Sequence, residues 1–408
     1  MSDHSPGVRG STRFYGGIGV AALVALAVYT LTRTRAPFYD EVYHLAHAAD
    51  WFSAGSLRAW LTKASASAVG PFYGLFYQRF IGAHGWPVPW IRGPNLFFLA
   101  YTIAVLGAAG RRYSGVAALG VMAVPMTWVI AGMALTEMPA AAMLATAVYA
   151  AGELARDGER EWRWRAVWWA VLGVAFGIAV AVRQSVLIVA PALLLLAAKR
   201  RVDWMAGAAV LVAGLAPMLV VFWIWRGLLP PGQEHVGGAF SIAHALFGFA
   251  YVGLAALLLA PEWWWSGRKL ALGAGAVAIV FNALIASPPL TMLSSVLRAL
   301  GPTLAPVAER MLAAATIATG GAFIGLLVRE ARRCDTRARG LILGTALVCL
   351  SCGAIAHQFS SRYVTLALPF CVPLLAPRMT FGPWAAARLA GGAVVGFAVL
   401  RSYYNFPG

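Results

Sequence analysis

Apolar positions gather into continuous runs of roughly 15–22 residues, separated by short segments rich in arginine, proline and glycine. A helix rises 1.5 Å per residue, so about 20 apolar residues cover the hydrocarbon core of a bilayer. The runs fall at 15–31, 91–109, 114–134, 138–152, 166–182, 184–198, 204–225, 241–260, 270–286, 309–328, 340–356, 363–376 and 389–401. The pattern predicts an all-α polytopic membrane protein of about 13 transmembrane helices. Short alternating segments, which a membrane β-barrel requires, are absent from the pattern.

Composition sharpens this reading. Of 408 residues, 61% are hydrophobic and only 12% are charged. A water-soluble fold of that length cannot cover so much apolar surface, and a disordered chain would be polar. The net charge of +17 invites a nucleic-acid reading, but the basic residues sit in small clusters between apolar runs. That is the positive-inside pattern, and no nucleic-acid partner is expected. With the N-terminus in the cytoplasm, the inside segments hold 20 of the 32 basic residues, including Arg111, Arg112, Arg200, Arg201, Arg268, Lys269, Arg329, Arg332 and Arg333. An odd number of spans puts the two termini on opposite sides. Arg9 and Arg13 before the first run read as a signal-anchor helix. The arginine and alanine bias suggests a GC-rich bacterium, hence a cytoplasmic (inner) membrane.

The whole of 1–408 reads as one transmembrane domain without a separate soluble domain. Its first outside loop, 33–90, is the largest extramembrane piece. There, Tyr43 to Phe52 reads as an amphipathic helix on the membrane surface, Gly55 and Ser56 break it, and Leu57 begins a second. Cys349 and Cys352 form a CxxC inside an apolar run, where small packing residues are expected rather than a redox or zinc pair.

Acids are scarce, so their placement carries information. Asp40, Glu41, Asp50, Glu137 and Glu234 fall outside, with Glu309 at a span edge. Six of the seven histidines, His44, His47, His84, His235, His244 and His357, also lie on or near that side. Asp40-Glu41 follows the first span directly; adjacent carboxylates at a membrane surface repel unless they are used, although a helix N-terminus would also favour them. Glu137 stands before a Pro-initiated helix, as a capping acid or a second active-site acid. Arg183 and Arg362 lie at outside boundaries with no acid beside them in sequence, as lipid-snorkelling residues or as phosphate ligands. Tyr363 follows Arg362 in the polar stretch His357 to Tyr363. His44 and His47 share a helix face, but no ligand-grade spacing appears and no metal is expected. Gly321 and Gly325 form a GxxxG suited to helix packing. Phosphate loops, dinucleotide fingerprints and nucleophile elbows are absent.

Several patches together resemble a known group. They are Tyr39-Asp40-Glu41-Val42-Tyr43-His44, Gly70-Pro71-Phe72-Tyr73-Gly74-Leu75, Arg92-Gly93-Pro94-Asn95, and Ser360-Ser361-Arg362-Tyr363 with Leu368-Pro369-Phe370. Their order along a many-span chain with a long first outside loop resembles the GT-C superfamily of membrane glycosyltransferases. The aminoarabinose transferases and protein O-mannosyltransferases belong to it, and the Asp-Glu-x-x-His stretch is similar to the dolichyl-phosphoglucose glucosyltransferase. The His-Pro-Pro pattern of the protein O-mannosyltransferases is missing. The resemblance implies transfer of a sugar from a polyprenyl-phosphate donor to a glycan or lipid acceptor on the extracytoplasmic face. It further implies a catalytic pair Asp40 and Glu41, with Asp40 as general base, and donor phosphate on Arg362 and Arg183. Glu137, His357, Tyr363 and His44 would line the substrate site, and no cofactor is implied. The rival reading is a multi-pass transporter or a lipid-linked-glycan flippase, for which a polar midplane site would be expected.

Overall fold

A computed structural model describes residues 6–78, 88–109, 114–156, 162–237, 239–284, 301–355 and 359–405. Among them every regular element is helical. The first long helix, α1 (Pro6–Thr32), is followed by three short ones in the first loop: α2 (Asp40–Ser53), α3 (Leu57–Thr62) and α4 (Pro71–Tyr77). Next come α5 (Gly93–Ala109), α6 (Ser114–Ala118), α7 (Pro125–Gly132), α8 (Glu137–Arg156) and α9 (Trp162–Val182). They lead to α10 (Ala190–Ala197), α11 (Arg201–Trp225), α12 (Ile242–Leu259), α13 (Pro261–Ser266) and α14 (Arg268–Leu284). The last four are α15 (Gly301–Ala331), α16 (Thr336–Ser351), α17 (Leu368–Leu375) and α18 (Pro383–Asn405).

Nine helices among the described residues are long and apolar enough to cross a bilayer, and a bent pair, Gly115–Ala123 with Pro125–Gly132, makes up to ten. The bend of 86° falls at Val124. Proline after it disfavours the helical region for Val124, whose backbone is extended. The other three of the thirteen expected spans are also helical but short: Gln184–Ala197, α14 and residues 361–375. Two of them begin as 3₁₀-helix, Gln184–Val189 and Ser361–Ala367. That geometry rises about 2.0 Å per residue, so each segment still reaches roughly 24–26 Å.

Among the candidate spans α8 is the most enclosed by other helices. Its alanines 140, 141, 142, 145, 147, 150 and 151 are all buried, and such small side chains let neighbouring helices approach closely. Gly321 and Gly325 of α15 face α14; a Cβ added at Gly321 would stand 2.4 Å from Ala278 Cβ, and one at Gly325 2.9 Å from Ala274 Cβ.

The alternation of helix directions sorts charge to two ends. Arg165 with Asp203 (2.7 Å) and Arg388 with Glu262 (3.9 Å) pair at one end, as do Arg156 with Glu153 and Arg378 with Glu330. The opposite end holds the end of α1, the starts of α8 and α12 and the ends of α9 and α18. The short helices α2, α3 and α4 lie there, tied to the end of α11 by Trp225 Nε1 to Leu61 O (2.9 Å) and to the segment after it by Gln233 Nε2 to Ser65 O (2.7 Å).

Candidate active site

Four charged side chains from four distant segments meet beneath α2. Asp40 opens α2, directly after Tyr39, whose φ of 51° is in a region that non-glycine residues seldom occupy. Glu137 opens α8, Arg183 follows α9, and Arg362 lies in the 3₁₀ turn before α17. Arg183 Nη1 donates to Glu137 Oε1 (2.9 Å) and to Thr136 Oγ1 (2.7 Å). Arg362 Nε lies 3.1 Å from the same Glu137 oxygen, and its Nη2 donates to Asp40 Oδ2. The two arginines that lack acids in sequence therefore share Glu137 in space. Tyr363 lies under both guanidinium groups, with its ring centroid 4.8 Å from Arg183 Cζ and 5.3 Å from Arg362 Cζ.

The members differ in access. Glu137 is fully buried, whereas the Asp40 side chain is 36% exposed. Burial would raise the Asp40 pKa, but Arg362 outweighs it and holds the carboxyl below its ordinary range. His44 is buried beside the cluster, with Nδ1 2.7 Å from Ser67 Oγ and its ring edge against Tyr73. Burial keeps it neutral, with a pKa pushed down to about 4 against the opposing pull of Glu137 and Asp40. Its Nε2 and Glu137 Oε2 are buried and have no partner among the described residues, which leaves them available to a ligand.

Glu41 takes a different place. It is completely buried, and Arg92 grips it with Nε to Oε1 and Nη2 to Oε2, both 2.8 Å. The amide of Ala134 donates to Oε1 (2.7 Å) and that of Phe38 to Oε2 (3.3 Å). Both oxygens are thus occupied, so Glu41 has no free face to offer a substrate. Residues one apart on a helix point about 100° from each other, which sends Asp40 to the cluster and Glu41 to the frame. Asn95 Nδ2 donates to the carbonyls of Met133 and Leu135 (both 2.7 Å), and Tyr73 Oη to that of Ala134 (2.6 Å). Glu41, Asn95 and Tyr73 thereby fix the backbone that delivers Thr136 and Glu137.

Gly70 completes the frame. Its amide bonds Val182 O at 3.0 Å, and a Cβ there would lie 2.0 Å from Ala181 O. Only glycine lets the loop dock on the residues that precede Arg183. Of the site residues expected from sequence, Asp40, Glu137, Arg183, Arg362, Tyr363 and His44 come together, Glu41 stands behind them, and His357 lies outside the described residues. Sequence reasoning did not single out Ser67 or the pairing of Arg92 with Glu41; an acid pair that needs two cations was the available signal. Among the described residues no set of three His, Cys, Asp or Glu side chains gathers in a way that could hold a metal.

No family model matches the chain, and neither does any curated protein sequence. Among solved structures, the crystal structure of ArnT from Cupriavidus metallidurans in the apo state is similar, at 18% identity and a TM-score of 0.49 over 94% of this chain and 75% of that one. The same protein bound to undecaprenyl phosphate is similar at 18% identity and a TM-score of 0.48, over 94% and 76%.

Proposed function

We propose that the chain is an integral-membrane glycosyltransferase that moves a sugar from a polyprenyl-phosphate donor to a hydroxyl of a glycan or lipid acceptor. The observation that carries this reading is the convergence of Asp40, Glu137, Arg183 and Arg362 at one end of an apolar bundle. A half-exposed carboxylate beside a guanidinium suits a reaction that needs a base and a leaving-group phosphate at close quarters. The sequence patches that resemble the GT-C superfamily supply Asp40 and Arg362 directly.

In the proposed reaction the donor phosphate takes Arg362 from Asp40, since guanidinium binds phosphate as a planar fork. Asp40, released from its partner, gains basicity. The acceptor hydroxyl oxygen forms a bond to the anomeric carbon while the bond from that carbon to the phosphate oxygen breaks. The hydroxyl proton passes to Asp40, and polyprenyl phosphate leaves with the bonding pair, with inversion at the sugar carbon. Arg362 stabilises the second negative charge that the phosphate acquires, where electrostatic help is largest. Arg183 holds Glu137 in place, and Glu137 Oε2 with His44 Nε2 orients the sugar. Glu41 belongs to the frame that positions them. The chemistry requires no metal ion. We place the protein in a bacterial inner membrane, with the N-terminus cytoplasmic and this end extracytoplasmic. A transporter would concentrate polar groups at mid-bundle, whereas the buried charged cluster here sits at one end.

The test is to incubate the purified protein with a panel of polyprenyl-phosphate sugars and candidate acceptors and to follow release of polyprenyl phosphate. Acceptor-dependent release is expected, and it should persist in EDTA. Transport of a lipid-linked sugar across vesicles without release would sink the transferase reading.

A further inference from the structure

The opposite end of the bundle carries a second concentration of charge with another character. A cleft of about 720 Å³ opens between the α13–α14 turn and the end of α15. Arg268, Lys269, Arg329, Arg332 and Arg333 line it, together with Ser266. None of these five cations pairs with a carboxylate among the described residues. The nearby acids are engaged elsewhere: Glu330 with Arg378 and with Trp263 Nε1 (3.2 Å), Glu262 with Arg388 and with Thr380 Oγ1 (2.9 Å), and Asp335 with the amide of Ala338 at the start of α16 (2.8 Å). Among the described residues, the ion pairs at this end, Arg156 with Glu153, Arg165 with Asp203 and Arg378 with Glu330, each contain their own acid.

Five cations gathered in one concavity repel one another, and a bound anion relieves that repulsion more fully than the screening of water and salt does. The cleft continues into apolar wall, with Leu270 and Ala274 on α14 and Ile324 and Val328 on α15. It lies where the candidate span Thr303–Ala331 ends, the level at which the phosphates of a surrounding bilayer are expected. Trp265, 70% exposed, stands at its edge with Arg268 Cζ 5.0 Å from its ring centroid, as interfacial tryptophans do. Arg329 Nη1 reaches back to Ser266 Oγ (3.3 Å), which joins the two walls.

We propose that this cleft is a binding site for an anionic phospholipid whose headgroup carries two phosphates, with its acyl chains along the α14–α15 groove. A single phosphodiester would neutralise one of the five cations; a two-phosphate headgroup matches the set better. The site is separate from the Asp40–Arg362 cluster and does not depend on the transferase reading.

The test uses the full chain in nanodiscs that contain diphosphatidylglycerol, phosphatidylglycerol or phosphatidylethanolamine, with lipid retention read by native mass spectrometry. Diphosphatidylglycerol should be retained most and phosphatidylethanolamine least. Each basic side chain near the headgroup plane is worth roughly fivefold. Arg329→Gln/Arg332→Gln/Arg333→Gln should therefore cut retention about 100-fold. Arg332→Gln/Arg333→Gln alters only exposed positions and serves if the triple variant does not fold. Lys199→Gln/Arg201→Gln removes two exposed cations of the same end and should change nothing. Equal retention of the three lipids, an equal loss in the control variant, or displacement of the lipid by free pyrophosphate would each overturn the proposal.

Discussion

Asp40 and Glu41 are neighbours in sequence and both pair with arginine, yet they belong to different kinds of network. Glu41 and Arg92 form an isolated pair, wholly buried, in which each is the other's only ionic partner among the described residues. Asp40 belongs to a shared set, in which Arg362 touches both Asp40 and Glu137, and Glu137 touches both arginines. Removal of one partner from the isolated pair strands a charge in the interior. Removal of Asp40 or Arg362 leaves the remaining charges with a partner or with water. The first arrangement suits a fixed frame; the second can exchange partners with an incoming anion.

The largest expected effect therefore falls on the frame. Glu41→Gln leaves Arg92 buried without a counter-charge, and such breakage typically costs 3–5 kcal/mol. Thermal melting in detergent should show a marked drop or no folded protein. Arg92→Leu should do the same, and the two together should be less harmful than the sum, because neither charge remains. A Glu41→Gln protein that melts like the parent but has lost turnover would move Glu41 into the chemistry and dissolve the contrast.

Asp40→Asn should behave in the opposite way. It keeps the shape and leaves Arg362 beside Glu137, so melting should change little. Loss of a general base costs about 10²–10⁴ in rate. Turnover should fall by that much while donor binding persists or tightens, because Arg362 is no longer shared. If turnover is near normal in this variant, the base lies elsewhere and Asp40 only opens its helix.

How much of this was legible in the sequence follows from which interactions are local. Hydrophobic runs mark the spans because burial in lipid is read residue by residue, and the breaks at Gly55 and Ser56 foretold where α2 gives way to α3. Two of the short segments, 184–197 and 361–375, read as full α-helical runs because an apolar run does not separate 3₁₀ from α geometry. Asp40, Glu137, Arg183 and Arg362 stood out because each is a charge at the edge of an apolar run. Their pairing did not, since it links positions as far apart as 40 and 362. The same limit hid the difference between Asp40 and Glu41. Only the path of the 133–136 backbone, held by Asn95 and Tyr73, decides which carboxylate is enclosed.

Acid titration compares the shared set with the rest of the first loop. His44 and His47 are both buried, and burial lowers each pKa from 6.5 to about 4. Asp40, Glu137, Arg183 and Arg362 surround the first; Asp50 faces the second. Between those values the unfolded chain binds more protons than the folded one. Stability is therefore full above about pH 6.5, falls as the pH drops, and levels below about pH 4. At pH 5 each histidine should cost about 2 kcal/mol. Melting temperatures of the parent should fall between pH 7.5 and pH 5, and His44→Gln/His47→Gln should flatten that slope. An unchanged slope in the double variant would show that the first-loop helices do not sense pH through these rings.

The smallest expected effect separates the two arginines of the shared set. Both arginines touch fully buried Glu137, but Arg362 turns its Nη2 to half-exposed Asp40, whereas Arg183 is fixed by Glu137 and by Thr136. Arg362 is thus the one free to move to a phosphate. A charge-assisted bidentate contact is worth roughly 1.5–3 kcal/mol, so Arg362→Ala should weaken donor binding about 10–100-fold with little change in melting. Arg362→Lys should recover only part of the loss, because an ammonium keeps the charge but not the fork. Arg183→Lys should keep the ion pair with Glu137 and weaken donor binding less than Arg362→Lys does. Binding of an unreactive polyprenyl-phosphate sugar, measured by calorimetry in detergent, would rank them. If Arg183→Lys proves the more damaging, the phosphate sits deeper, between Arg183 and Tyr363, and Arg362 serves instead to hold Asp40.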